Sequence, residues 1–102
     1  HGHKIEGKLF RVLRGQFVLC AVLIDNWEKP TKELEVEQFT IDENSGVVYI
    51  PPGYANGLIN TAPDSKIMTL STLIYTDAIN DDFRYSSTHW DPWQEYSPQI
   101  YE

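Results

Sequence analysis

The sequence predicts an all-β domain, a sandwich or small barrel, on three observations. Short runs of β-branched and aromatic residues recur at spacings of about 8 to 12 residues, each bounded by Gly, Pro, Asn or Asp clusters. No stretch carries a convincing apolar stripe at helical period. Residues 17–24 are apolar at both parities, the pattern of a strand buried on both faces at the centre of such a fold.

Taken in order, residues 8–14 (Lys8-Leu9-Phe10-Arg11-Val12-Leu13-Arg14) form a strand-like mixture of charged and apolar side chains entered through Gly7. Gly15-Gln16 reads as a hairpin turn into the doubly apolar strand. Residues 25–31, with Trp27 and Pro30, make a loop. Residues 33–40 alternate as a strand, with Leu34 and Val36 on one face and Glu33, Glu35 and Glu37 on a solvated other face. After a turn at 42–46 comes Gly46-Val47-Val48-Tyr49-Ile50-Pro51-Pro52-Gly53-Tyr54-Ala55-Asn56-Gly57-Leu58-Ile59-Asn60, which reads as strand, tight turn and strand. The fixed φ of the prolines and the freedom of Gly53 reverse the chain there. Residues 61–65 form another turn. Residues 66–75 form a strand in which Thr69, Ser71 and Tyr75 share one parity, a polar stripe suited to lining a cavity. A loop (76–82), a short strand (83–85) and an aromatic tail follow. Trp90 and Trp93 in that tail are expected to cover a barrel mouth or a partner subunit.

The chain of 102 residues makes one domain, 1–102, able to bury roughly two-thirds of its unfolded surface in a single core. Its net charge of −7 argues against binding a phosphate polymer, which needs clustered positive charge. A small anionic ligand is compatible with that charge, because a few cations at one mouth can hold a diphosphate. Four of the eight Lys and Arg, Lys4, Lys8, Arg11 and Arg14, fall in the first fourteen residues. The longest apolar run is far too short to cross a bilayer. The single cysteine, Cys20, excludes an internal disulfide and reads as a buried inert thiol. With no visible targeting signal, this suggests a cytoplasmic protein.

The segment at 51–60 resembles the second motif of the cupin superfamily, Pro-x-Gly-x-x-His-x-x-x-Asn. Pro51, Gly53 and Asn60 match it, and Asn56 stands where the motif has His. Within that superfamily, Ile50-Pro51-Pro52-Gly53-Tyr54-Ala55-Asn56-Gly57-Leu58 is similar to the Ile-Pro-x-Gly-Phe-Ala-His-Gly-Phe of the dTDP-4-dehydrorhamnose 3,5-epimerase family. His1-Gly2-His3, Gly7-Lys8-Leu9-Phe10-Arg11-Val12, the loop at 25–31 and Ser71-Thr72-Leu73-Ile74-Tyr75 resemble further segments of that family. The resemblance implies a cupin-type double-stranded β-helix, or jelly roll. It also implies a homodimer, as do the aromatic tail and an exposed sheet edge. The family's N-terminal strands, which touch the nucleotide, are expected to lie ahead of His1.

The activity implied is metal-independent proton transfer beside the C4 ketone of a nucleotide sugar, with no cofactor, in deoxysugar and surface-polysaccharide biosynthesis. A base that titrates near neutrality takes the proton, which suits His1 or His3. Lys8 faces the developing enolate, and Tyr75 returns a proton from the other side. Arg11 and Asn56 are expected to bind substrate, Asn56 as an uncharged hydrogen bonder. The alternatives are a cupin that binds a sugar or nucleotide sugar without turnover, and a related ketoisomerase. A site built from His1, His3 and Glu6 makes a metal-dependent cupin a distant third, since Asn56 removes the fourth ligand.

Overall fold

The computed structural model describes residues 1–86, 88–90, 92 and 100–101, the side chains of 75, 76, 100 and 101 excepted. It is all-β, with a single short helical segment among the described residues. Its strands are β1 (Lys8–Arg14), β2 (Gln16–Leu23), β3 (Glu37–Asp42), β4 (Val47–Ile50), β5 (Tyr54–Asn60), β6 (Lys66–Ser71) and β7 (Ile100–Tyr101). Two sheets, ordered β4-β1-β6 and β3-β2-β5-β7, face each other, and every named strand pairing is antiparallel. Among the described residues they do not join into a closed barrel. Among the described residues no helix is long and apolar enough to cross a membrane.

The core lies between the sheets. Phe10 and Val12 of β1 and Ile50 of β4 meet Phe17, Leu19 and Ala21 of β2, Ile41 of β3 and Leu58 of β5. These positions follow the period-two alternation of each strand. The other face of β2, with Val18, Cys20 and Val22, is covered in turn. Ile59 of β5 shares that face, and Val36, Trp27, Leu34, Tyr85 and Trp90 pack over it. Residues 17–22 are therefore buried at both parities, as the sequence requires.

Most connections change sheet. β1 leads into β2 through Gly15 (φ +80°), yet β1 pairs with β4 and β6, whereas β2 pairs with β3 and β5. Gly15 is a corner between layers and not the turn of a hairpin. Residues 51–53 form a second corner, from β4 to β5, with Gly53 at φ +100°. There the Gly53 N–H donates to the His3 carbonyl at 2.7 Å.

Four other expectations change. β3 starts at Glu37, because Leu34 and Val36 leave the ladder and pack on the outer side of the larger sheet. β6 ends at Ser71, and Tyr75 opens the one-turn helix α1 (Tyr75–Ala78), followed by a 3₁₀ turn at Ile79–Asp81. Of residues 83–85 only Phe83 makes a bridge, to Gly2. Trp90 donates its Nε1–H to the Thr31 carbonyl at 3.0 Å and covers the outer side of the larger sheet, not a barrel mouth. Trp93 lies outside the described residues.

Candidate functional site

A cavity of about 620 Å³ opens between the sheets on the side of β5 and β6. Lys8 and Phe10 of β1 and Ile67 and Thr69 of β6 form one wall, and Phe17, Asn56 and Leu58 form the facing wall. His1, His3 and Glu6 close one end, together with Ala78, Ile79, Asp82 and Arg84 from the helical turn and the segment after it. Its lining combines aromatic and aliphatic core side chains with polar and charged ones. Such a cavity suits a ligand with one hydrophobic flank and several hydrogen-bonding groups.

The residues at 1–3 are held as an extra length of strand. Asn56 N–H donates to the His1 carbonyl at 2.8 Å and His3 N–H to the Tyr54 carbonyl at 3.2 Å, so this segment continues the edge of β5. On its other side, Gly2 and Phe83 exchange N–H···O bonds at 2.6 and 2.9 Å. Glycine is needed at position 2, since a Cβ there would stand 2.9 Å from the Trp27 ring and 3.1 Å from Tyr85. With Gly2 turned outward, His1 and His3 share the inward face, their rings inclined by 15° with centroids 6.4 Å apart.

Each histidine has its Nδ1 committed to an oxygen. His1 Nδ1 lies 2.7 Å from Asp82 Oδ1. His3 Nδ1 lies 2.9 Å from the Asp81 carbonyl oxygen and 3.1 Å from Glu6 Oε1. A carbonyl oxygen and an ionised carboxylate only accept, so in its neutral form each ring carries its proton on Nδ1 and keeps the lone pair on Nε2. Partial burial raises the Asp82 carboxyl. The hydrogen bonds and charges of His1 and Arg84 outweigh that effect and leave it below the usual carboxylate range.

Glu6 is the most embedded charged group of the site. Its carboxylate meets His3, Lys8 Nζ at 3.1 Å and the Ser71 hydroxyl, and these partners compensate the loss of water. The ammonium of Lys8 has three N–H donors, so its bond to Glu6 leaves others for a ligand. Asp81, also buried, acts through the backbone. Its carboxylate accepts the N–H groups of Lys4 (2.9 Å), Ile5 (2.7 Å) and Glu6 (2.7 Å), which fixes the bend that delivers Glu6 and Lys8 to the cavity.

Four of the six residues expected at the site therefore meet in one cavity: His1, His3, Lys8 and Asn56. Asn56 Nδ2 is buried and has no protein partner among the described residues, as suits a group waiting for a ligand oxygen. Arg11 is not in the lining. It is exposed at the opposite parity of β1 from Lys8, Phe10 and Val12, on the outer face of the smaller sheet. The backbone of Tyr75 belongs to α1 and not to a strand; its side chain lies outside the described part. Of the expected polar stripe, Thr69 lines the cavity and Ser71 bonds Glu6.

Asp81 and Asp82 were not among the expected site residues. They lie at the end of the 3₁₀ turn and just after it, where the sequence has no periodicity, and their partners among residues 1–6 are 75 to 81 positions away along the chain. Among the described residues no three His, Cys, Asp or Glu side chains converge as a metal-ligand group. Comparison with protein-family models, with curated proteins and with solved structures gave no match to this chain.

Proposed function

We propose that this chain is a nucleotide-sugar epimerase of the dTDP-4-dehydrorhamnose 3,5-epimerase type. It would carry a cupin-type jelly roll and act in the cytoplasm in deoxysugar and surface-polysaccharide biosynthesis. Two antiparallel sheets whose successive strands mostly alternate between layers support the jelly-roll reading. The observation that carries the activity is the pair of cavity histidines with Nδ1 held by oxygens, beside the Lys8 ammonium.

In this mechanism Nε2 of His1 or His3 takes a proton from a carbon next to the C4 ketone. The electron pair of that C–H bond moves into the carbonyl and makes an enolate. The ammonium of Lys8 and the amide of Asn56 donate to its oxygen. An acid on the opposite face returns a proton to carbon and restores the ketone with inverted configuration. By resemblance, Tyr75 is that acid. The histidine then yields its proton to water and the acid regains one from water, so the cycle closes without a redox partner.

The test is incubation with a dTDP-4-keto-6-deoxysugar in deuterated water, read by mass spectrometry and NMR. Deuterium is expected at C3, C5 or both. Asn56→Ala should lower turnover by about 10²- to 10³-fold with little change in affinity, because the donor acts on the oxyanion. A second reading is favoured by Asn56 itself, whose amide cannot titrate where the resembled family has histidine. In it the cavity holds a nucleotide sugar without turnover. Tight binding with no exchange over many hours would establish that reading and end the first.

A further inference from the structure

The cavity contains the same wiring twice. His1 Nδ1 lies 2.7 Å from one oxygen of Asp82, and the other oxygen of that carboxylate accepts from Arg84 Nε at 3.1 Å. His3 Nδ1 lies 3.1 Å from one oxygen of Glu6, and the other oxygen lies 3.1 Å from Lys8 Nζ. Each unit is an imidazole, a carboxylate and a cation, and all six side chains line the one cavity. The two rings are inclined by 15° with centroids 6.4 Å apart. Neither Nε2 has a hydrogen-bond partner among the described residues. A reaction with a single base uses only one of these units.

We infer that the two histidines are separate bases, each taking a proton from a different one of the two carbons that flank the C4 ketone. This rests on the epimerase reading and adds that both carbons react, each at its own imidazole. Two carbons bonded to a common third stand about 2.5 Å apart, from bonds of about 1.5 Å at an angle near 111°. A reacting group comes within about 3 to 3.5 Å of its carbon, so two bases over such a pair can stand up to about 9 Å apart. The rings lie within that span. Neither is free to swing from one carbon to the other. His1 is tied through Nδ1 to Asp82, and His3 both to Glu6 and to the Asp81 carbonyl at 2.9 Å. The ketone is fixed as well, its oxygen accepting from Lys8 and Asn56, and a misplacement of about 1 Å can cost about 10²-fold in rate. At each carbon Nε2 takes the hydrogen as a proton, the electron pair of the C–H bond passes into the carbonyl, and the imidazolium afterwards yields its proton to water. Each imidazolium forms against its own carboxylate, Asp82 at 2.7 Å or Glu6 at 3.1 Å, which steadies the charge it gains. His1 and His3 touch the substrate; Asp82 and Glu6 are positioning residues.

The experiment follows exchange from deuterated water into C3 and C5 separately, by NMR, for wild type, His1→Asn and His3→Asn with a dTDP-4-keto-6-deoxysugar. Asparagine keeps a side-chain N–H donor for the oxygens that Nδ1 now meets. Wild type is expected to exchange at both carbons. Each variant should lose exchange at one carbon by about 10²- to 10⁴-fold, the usual worth of a positioned base, and hold the other within about tenfold. The carbon lost should differ between the two. If His3→Asn fails to fold by circular dichroism, His1→Asn, at the less buried of the two positions, answers alone by losing one carbon and keeping the other. Wild-type exchange at one carbon only overturns the inference and leaves the epimerase reading standing. So does a folded variant that loses both carbons or neither, or a loss at the same carbon in both variants. No exchange by wild type ends the epimerase reading and this inference with it.

Discussion

Asp81→Ala is the substitution from which the structure allows the largest effect to be worked out. The carboxylate accepts three backbone N–H groups at 2.7 to 2.9 Å, from Lys4, Ile5 and Glu6. The Glu6 amide is buried, so losing its charged acceptor carries the full desolvation cost, about 2 kcal/mol. The amides of Lys4 and Ile5 lie nearer solvent and recover part of their loss from water, leaving about 1 kcal/mol each. The total is about 4 kcal/mol, a large share of the 5 to 15 kcal/mol typical of a whole domain. For a chain of this length that is a fall in Tm of roughly 15 to 30 °C. Asp81→Asn keeps one carbonyl acceptor and should fall between wild type and Ala. Thermal melts followed by circular dichroism, with urea midpoints alongside, read both variants. A loss in Asp81→Ala under about 1 kcal/mol, or 4 to 8 °C, would show that the carboxylate does not hold the bend.

Two further outcomes follow from titration. The Asp82 carboxyl is held below its ordinary value, so the folded chain binds this proton more weakly than the unfolded chain does. Its contribution to stability is then complete above the unfolded value of about 3.9 and is lost as pH falls through the lower folded value. Between about pH 4 and 2 the Tm of wild type should fall more steeply than that of Asp82→Asn; superimposable profiles would remove the His1–Asp82 pair from the account. Burial pushes the Cys20 thiol up to about 12. Ellman's reagent at pH 8 should label the folded protein at least about 10³-fold more slowly than the protein in urea, and labelling within tenfold of the urea rate would place Cys20 at an accessible surface.

What the sequence revealed was local, and what it hid was distant. The double apolar parity of residues 17–22 and the prolines and glycine of residues 51–53 are properties of neighbouring residues, so the strand and the sharp turn were legible, but not that the chain changes sheet at that turn. The i, i+2 spacing of His1 and His3 likewise put both on one face. Parity could have placed Arg11 outward as well, because it is odd where Phe10 and Val12 are even and apolar. The turn of helix at Tyr75 was missed because residues 72–75 continue the β-favouring composition of β6, and only the following Asp77, Ala78 and Asn80 relax it. Asp81 and Asp82 gave no signal of any kind. Their roles arise when the chain folds back on its first six residues.

The corners that carry the chain from one layer to the other also set an order of assembly. β1 finds no partner in the strand that follows it; it waits for Val47–Ile50 and Lys66–Ser71, the second more than fifty residues downstream. The larger sheet can begin sooner, since β2 and β3 are joined directly as an antiparallel pair. Folding of such a topology is slow, on the order of milliseconds to seconds, because loop closure must precede the contacts that reward it. Until then β1 has both edges open and its alternating Leu9, Leu13 and Phe10 uncovered, the kind of intermediate that self-associates at high concentration. On the ribosome the same logic delays the smaller sheet until Lys66–Ser71 has emerged. The cavity wall that holds Lys8 and Thr69 is thus among the last parts of the molecule to form.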